Sequence, residues 1–492
     1  MEAKAMTQAI IIGAGMSGLL AAIKLGQAGF DEVVLIERNA EPGGTWSDNV
    51  YPGAGCDVPS HLYSYSFAPK PDWTRLYARQ SEILAYFKDV ARRFGVDRKI
   101  VFGAEVTRAR FSEAAACWTV EAADGRQWRA PLLIVATGQL NQPAWSAVPG
   151  RERFQGAQMH SARWDASVDL RKKRVGVIGT GASAVQLVPA IAPRPERLTV
   201  FQRAPNWIVP RNDKPVAEWQ KRLYARAPAT AKLMRGLIYA QLEANWRAIA
   251  EPGGKRARFM EKLARDHLAD QVKDEALRAR LTPDYPIGCK RILVSDDFYP
   301  ALQRPNVALE TRAIVQVEEA GVRLADDTLV PLDVLIWATG FATQHFVLPI
   351  EVEGLGGRTL ANAWANGPVA YRGMAVAGFP NMFLLYGPNT NLGHNSIIFM
   401  VERAVEYLLA PMATVLREGG WIDAKPSAQA AWDAQIQREL GTTAWAAGCD
   451  SWYKEGGRIA NNWSGSTRRW ARELKHWDAD AWHRVQPVRT AA

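Results

Sequence analysis

Cysteine is scarce in this sequence: four residues in 492, at Cys56, Cys117, Cys289 and Cys449. No two lie close together, so there is no CxxC pair and no zinc-ligand spacing. No disulfide framework and no metal site are expected, and a cytoplasmic, reducing location fits. The same scarcity excludes the closely spaced thiol pair that disulfide reductases use. Long apolar runs are also missing. None reaches the ~18 residues of a membrane-spanning helix, so no transmembrane segment is expected. The apolar stretch 9–23 has the hydropathy of a signal peptide but no basic leader, and it is interrupted by glycines. Blocks of one charge sign are absent too. The net charge is +10, yet Lys and Arg are spread along the chain. The densest stretches, Lys255–Arg258 and Arg468–Lys475, read as solvated faces, and no nucleic-acid partner is expected.

What the sequence does contain is a repeated pattern. Ala9-Ile-Ile-Ile-Gly13 reads as a short strand, followed by a glycine turn, an apolar helix over Leu19–Leu25 and a second strand at Val33–Ile36. An apolar strand at Leu132–Ala136 then runs into Thr137-Gly138, and Pro143 and Pro149 mark a boundary. The pattern recurs as a strand at Arg174–Ile178, a glycine turn over Gly179–Ala184, a helix at Val185–Ile191 and a strand at Leu198–Gln202. A further strand at Val334–Ala338 enters Thr339-Gly340. Each half therefore closes on the same Ala-Thr-Gly triplet. Between Pro215 and Pro283 the composition is helical. A strand at Met382–Tyr386 and a helix at Ile397–Leu409 follow, and the last ~70 residues are Trp-rich without a sharp signal.

The two glycine turns read as nucleotide loops. In Gly13-Ala-Gly15-Met-Ser17-Gly18, one glycine makes the turn, one lets backbone approach a pyrophosphate, and one permits close helix–strand packing. The helix N-terminus then faces the phosphates. Glu37 ends the second strand, where a carboxylate accepts hydrogen bonds from ribose hydroxyls. In the second loop, Gly179-Thr180-Gly181-Ala182-Ser183-Ala184, alanine replaces the third glycine. Glu37 lies 24 residues after Gly13, and Arg203 lies 24 residues after Gly179. The charge has switched sign between matching positions. A carboxylate repels a 2′-phosphate and a guanidinium grips it, so the first site suits FAD and the second NADPH. The blander alternatives are a glycine turn without ligand and a surface arginine.

Two further motifs carry a family resemblance. Phe154, Gly156, His160, Trp164 and Asp165 fill every fixed position of F-x-G-x-x-x-H-x-x-x-W-[PD]. Gly43, Gly44, Trp46, Tyr51, Pro52, Gly53 and Asp57 match [AG]-G-x-W-x4-[FY]-P-[GM]-x3-D. Over most of its length the chain resembles the type I Baeyer–Villiger monooxygenases, class B flavoprotein monooxygenases. That resemblance implies an FAD- and NADPH-dependent enzyme that inserts one oxygen atom of O2 beside a ketone carbonyl through a flavin C4a-peroxide, giving an ester or lactone. It also implies a catalytic Arg291, in Pro286-Ile-Gly-Cys-Lys-Arg, fixed by Asp57. Lys290 would reach the 2′-phosphate beside Arg203, and Gly44, Thr45, Trp46, Tyr63, Val106 and Ile397 would contact the flavin cofactor. His160 reads as a linker between nucleotide units rather than a proton carrier, with Trp164 packed beside it. Two departures from better-known relatives stand out: Ala204 where several carry a hydroxyl, and the segment Gly387–Ser396.

The expected fold is α/β: two doubly wound, Rossmann-like dinucleotide-binding domains with a helical insertion. Residues 1–145 and 345–492 would bind FAD, 150–215 and 283–343 would bind NADP, and 216–282 would form the insertion, in a monomer or homodimer. Alternatives are an S- or N-oxygenating flavin monooxygenase, an uncoupled NADPH oxidase and a non-catalytic nucleotide-binding sensor.

Overall fold

The computed structural model describes residues 7–347, 349–449, 453–455 and 457–486. Two five-stranded parallel sheets organise it. The first runs Met382–Leu384, Leu132–Val135, Ala9–Ile12, Val33–Ile36, Ile100–Val101. The second runs Val307–Glu310, Arg197–Phe201, Arg174–Ile178, Val334–Trp337, Ala157–His160. Both are parallel throughout, and their central strands are covered on two faces. This is why Ala9–Ile12 and Leu132–Val135 are uninterrupted apolar runs, buried at every residue. In each sheet the strand before the glycine turn lies between the next strand in sequence and the strand of the Ala-Thr-Gly triplet. Ile12 pairs with Ile36 and Val135, and Ile178 pairs with Phe201 and Trp337. Both turns thus leave from the carboxyl end of a central strand, where open α/β sheets bind ligands.

The expected elements form with shifted ends. The first helix spans Met16–Gln27, the second Ala182–Ile191, and the late helix extends over Ile397–Glu418. Residues 216–282 are helical as expected: Glu218–Arg226, Pro228–Glu243, Trp246–Ala250, Lys255–Gln271 and Glu275–Leu281. Asp274 caps the last of these by accepting from the N–H groups of Ala276 and Leu277. This segment also reaches the first sheet's side of the molecule. Arg235 donates to the carbonyls of His61, Leu62 and Ser64 at 2.9, 3.1 and 2.9 Å.

Two antiparallel additions had no counterpart in the sequence reading. Val106–Ser112, Cys117–Ala122 and Gln127–Ala130 form an antiparallel meander, and Glu351–Glu353 joins its edge in parallel. Ile314–Glu318, Gly321–Leu324 and Leu329–Pro331 form another. The Trp-rich tail is core-forming: the Trp463 ring stacks on Trp432 at 5.7 Å and meets Trp470 edge-on at 5.1 Å.

The cysteines correct an expectation. Cys289 and Cys449, 160 residues apart, are joined by a disulfide with Cα atoms 6.3 Å apart, while Cys56 and Cys117 are free. The fold brings the loop before Lys290 against the C-terminal segment, and sequence spacing does not register that approach. Cysteine usage therefore no longer argues for a reducing compartment. Among the described residues no helix is long and apolar enough to cross a membrane.

A candidate active site between two glycine loops

The two glycine turns are built alike. Gly13 has φ +101°, and a Cβ there would sit 2.7 Å from the Ala136 carbonyl oxygen. Gly179 has φ +110°, and a Cβ there would sit 2.5 Å from the Ala338 carbonyl oxygen. The repeated Ala-Thr-Gly triplet is thus the wall against which each first glycine turns, and only glycine fits. Glu37 is buried at the end of its strand and accepts from the N–H groups of Ala14 at 2.8 Å and Asn39 at 2.9 Å. Burial raises its carboxyl above the ordinary value, against the pull of those two N–H groups.

A cavity of about 1090 Å³ runs between the sheets. Ser17, Thr45, Trp46, Asp57, Tyr63 and Ile397 line one part of it. Gly179, Thr180, Gly181, Ala182, Ser183, Arg203 and Lys290 line another, and Arg291 stands between. A smaller cavity of about 110 Å³ holds Gly13, Gly15, Glu37, Gly44 and Val106, and Ala136 borders both cavities. Gly18 and Ala184 line neither. A Cβ on Gly18 would sit 1.9 Å from the Gly13 carbonyl oxygen, and Ala184 is fully buried, so both serve helix–strand packing.

Arg291 and Asp57 meet although 234 residues separate them. Arg291 donates from Nη2 at 2.5 Å and from Nε at 3.1 Å, both to Asp57 Oδ2. Their side chains are 32% and 25% exposed, so the pair faces the cavity instead of being sealed in the core. Burial alone would raise the Asp57 carboxyl. The Arg291 charge and hydrogen bonds, with Arg211 behind them, overcome that and hold it below the ordinary value. The Asp57 charge in turn raises Arg291, against the cost of burial.

The interdomain motif supports the site from outside. Phe154 packs in a cluster with Ile178 and Trp337. His160 is fully buried, and its Nδ1 accepts from the Ala162 N–H at 3.1 Å. Burial and the nearby Arg163 push its pKa down to about 4, so it is neutral at pH 7. Its ring neighbours are Trp145 and Phe341, both on the cavity wall. Trp164 is partly buried and packs on the core of the second sheet, the sheet to which His160 belongs. Asp165 is exposed and caps a turn by accepting from Ser167.

Some cavity residues escaped the sequence reading. Tyr386 has φ +71°, uncommon for a bulky side chain, and its hydroxyl donates to Asn391 Oδ1 at 2.6 Å. Asn391 is held by Asn462 at 3.0 Å. Gln186 is the one long polar side chain in the apolar helix Ala182–Ile191, which was a usable signal. Arg211, buried behind the cavity wall with its Nη2 donating to the Cys56 carbonyl, carried none.

Two nucleotide loops around a cation–carboxylate pair define a flavoprotein-type, two-dinucleotide oxidoreductase. In agreement, residues 10–224 match the family described as pyridine nucleotide-disulphide oxidoreductase. A Baeyer–Villiger monooxygenase of Streptomyces coelicolor is 40% identical over 97% of this chain and 92% of its own. A steroid monooxygenase structure bound to NADP superposes with TM-score 0.86 at 30% identity, covering 97% of this chain and 99% of its own. The structure of OTEMO in complex with FAD and NADP gives TM-score 0.86 at 27% identity, with 97% and 99% covered. The chain belongs to the Baeyer–Villiger monooxygenase family.

Proposed function

We propose that this protein uses NADPH, O2 and bound FAD to convert a ketone into an ester or lactone, with NADP+ and water as the other products. The observation that carries the reading is the Asp57–Arg291 pair, set in one cavity with both nucleotide loops.

The cradle fits both dinucleotides. Gly13, Gly15 and Gly44 leave backbone open beside a helix N-terminus, and Glu37 offers carboxylate oxygens to ribose hydroxyls. Ser17, Thr45, Trp46, Tyr63 and Ile397 would hold the rest of FAD, with Val106 at its adenosine end. Gly179–Ser183 would take the NADP pyrophosphate, and Arg203 and Lys290 its 2′-phosphate. We assign FAD to 1–145 and 345–492, NADP to 150–215 and 283–343, and a helical insertion to 216–282. When bound, the flavin supplies electron transfer from NADPH and activation of O2.

The chain's own residues do the rest. Arg291 is the catalytic residue: its fixed positive charge stabilises negative charge on oxygen as the ketone carbonyl is attacked. Asp57 is a positioning residue that fixes the guanidinium. The apolar wall formed by Trp46, Tyr63, Leu392 and Ile397 keeps water from the reacting oxygen.

The test is a product screen of purified protein with NADPH, O2 and linear, cyclic and aromatic ketones, with a sulfide and an amine alongside. Ester or lactone formation is expected. Sulfoxide or N-oxide as the sole oxygenated product, or hydrogen peroxide alone, would overturn the reading.

A further inference from the structure

The loop that carries Asp57 belongs to the first nucleotide unit, but the second unit holds it. Gln186 lies one turn beyond Ser183 on the helix that opens at the second glycine loop. Its Oε1 accepts from the Tyr51 hydroxyl at 2.9 Å and from the Gly55 N–H at 3.2 Å. Its Nε2 donates to the Gly55 carbonyl at 3.0 Å. The amide therefore pairs with Gly55 in both directions, as a neighbouring strand would. Gly53, at φ +86°, rests on the same helix, where a Cβ would sit 2.3 Å from the Gln186 carbonyl oxygen. Tyr51 is buried in the second sheet's core, and the Ser183 hydroxyl also reaches it. Two residues past Gly55, Asp57 binds Arg291, and between them the Cys56 carbonyl accepts from Arg211 at 2.8 Å.

We propose that Gln186 is a positioning residue for oxygen transfer. It locks Gly55, and through it Asp57 and Arg291, to the helix whose N-terminus receives the NADP pyrophosphate. The nucleotide cradle and the catalytic ion pair then move as one body. A nucleotide seated on Gly181–Ser183 orients the Asp57 carboxylate without touching it, and loss of the amide pairing lets the pair drift while the cradle stays intact. This inference rests on the assignment of Arg291 to oxygen transfer.

Gln186→Met tests it, since methionine keeps the shape and removes every side-chain hydrogen bond of Gln186, and Tyr51→Phe removes only one of them, together with the Ser183 contact. FAD content, KM for NADPH and anaerobic flavin reduction by NADPH are measured beside oxygenated product and hydrogen peroxide per NADPH consumed. In Gln186→Met the product ratio is expected to fall about tenfold, the scale of one or two lost hydrogen bonds. Peroxide makes up the balance, while KM moves far less. Tyr51→Phe shows a smaller fall in the same direction. A product ratio unchanged in Gln186→Met makes the residue a packing element and overturns the proposal. So does a KM that rises in step with the lost product, which places Gln186 in nucleotide binding. Failure of the underlying function shows elsewhere, as a wild-type protein that gives no oxygenated product.

Discussion

Replacing Arg291 with alanine separates electron transfer from oxygen transfer. The guanidinium makes two hydrogen bonds to one oxygen of Asp57, at 2.5 and 3.1 Å. Without it, burial of Asp57 is opposed mainly by Arg211, whose Nη2 is committed to the Cys56 carbonyl. The Asp57 carboxyl then rises from its depressed value, and the local cost to the fold is on the order of one charge-assisted bond, ~1.5–3 kcal/mol. The nucleotide loops do not depend on this pair, so FAD binds and NADPH still reduces it. Oxygen transfer loses its fixed cation. Removal of one such stabiliser costs ~10²–10³ in rate, or ~2.7–4 kcal/mol of transition-state stabilisation. NADPH consumption continues with O2 released as hydrogen peroxide, so the assay is ester per NADPH with peroxide measured in parallel. Arg291→Lys restores part of the ratio, because an ammonium supplies the charge but not the planar pair of N–H groups. An Arg291→Ala ratio near wild type refutes the reasoning and moves the search to Lys290.

Other consequences are open to direct measurement. The purified protein is expected to be yellow with about one non-covalent FAD per chain, given the helix N-terminus after Gly15 and the buried Glu37; a colourless protein that cannot be reconstituted contradicts the first site. Arg203→Glu is expected to raise KM for NADPH far more than for NADH, by ~1–3 kcal/mol or roughly 5- to 150-fold, and equal losses would show that Arg203 does not read the 2′-phosphate. Burial raises the Asp423 carboxyl to about 6, although the N–H groups of Gly378, Ala424 and Phe379 pull it down. A raised carboxyl costs nothing below the unfolded value and destabilises as pH climbs through the folded one. The unfolding free-energy advantage of Asp423→Asn over wild type, read from denaturant titrations, should therefore be near zero at pH ~3.5 and reach on the order of 3 kcal/mol at pH ~7.5; a gap that does not change with pH refutes it. Denatured without reductant, the chain should show two reactive thiols, Cys56 and Cys117, and four after reduction; four thiols from the start would remove the Cys289–Cys449 link.

The parts legible in the sequence are those whose physics is local. A strand, a glycine turn and a helix N-terminus are contiguous, so Gly13–Gly18 and Gly179–Ala184 could be read directly, and the sign change from Glu37 to Arg203 needed only counting. The Asp57–Arg291 pair spans 234 residues, and without a family pattern nothing in either neighbourhood names the other. Cys289 and Cys449 were misread for the same reason: spacing along the chain says nothing about two loops the fold brings together. Gln186 was visible as a lone amide in an apolar helix, but its partners, Tyr51 and Gly55, lie more than 130 residues away along the chain.

The order of strands has a consequence for how the chain is made. The second sheet draws all its strands from residues 157–337, whereas the first waits for Met382–Leu384 to cover Leu132–Val135. At ~5–20 residues per second of synthesis, that strand emerges roughly 12–50 s after Leu132–Val135. During that interval an apolar strand is an open sheet edge, the kind of surface that recruits another chain. The unit nearest the N-terminus is thus the last to close. Chains truncated before residue 382 should keep a complete second sheet and still aggregate through the first, and soluble expression should return only in chains that include Leu384 and the late helix and Trp-rich tail that complete the same core.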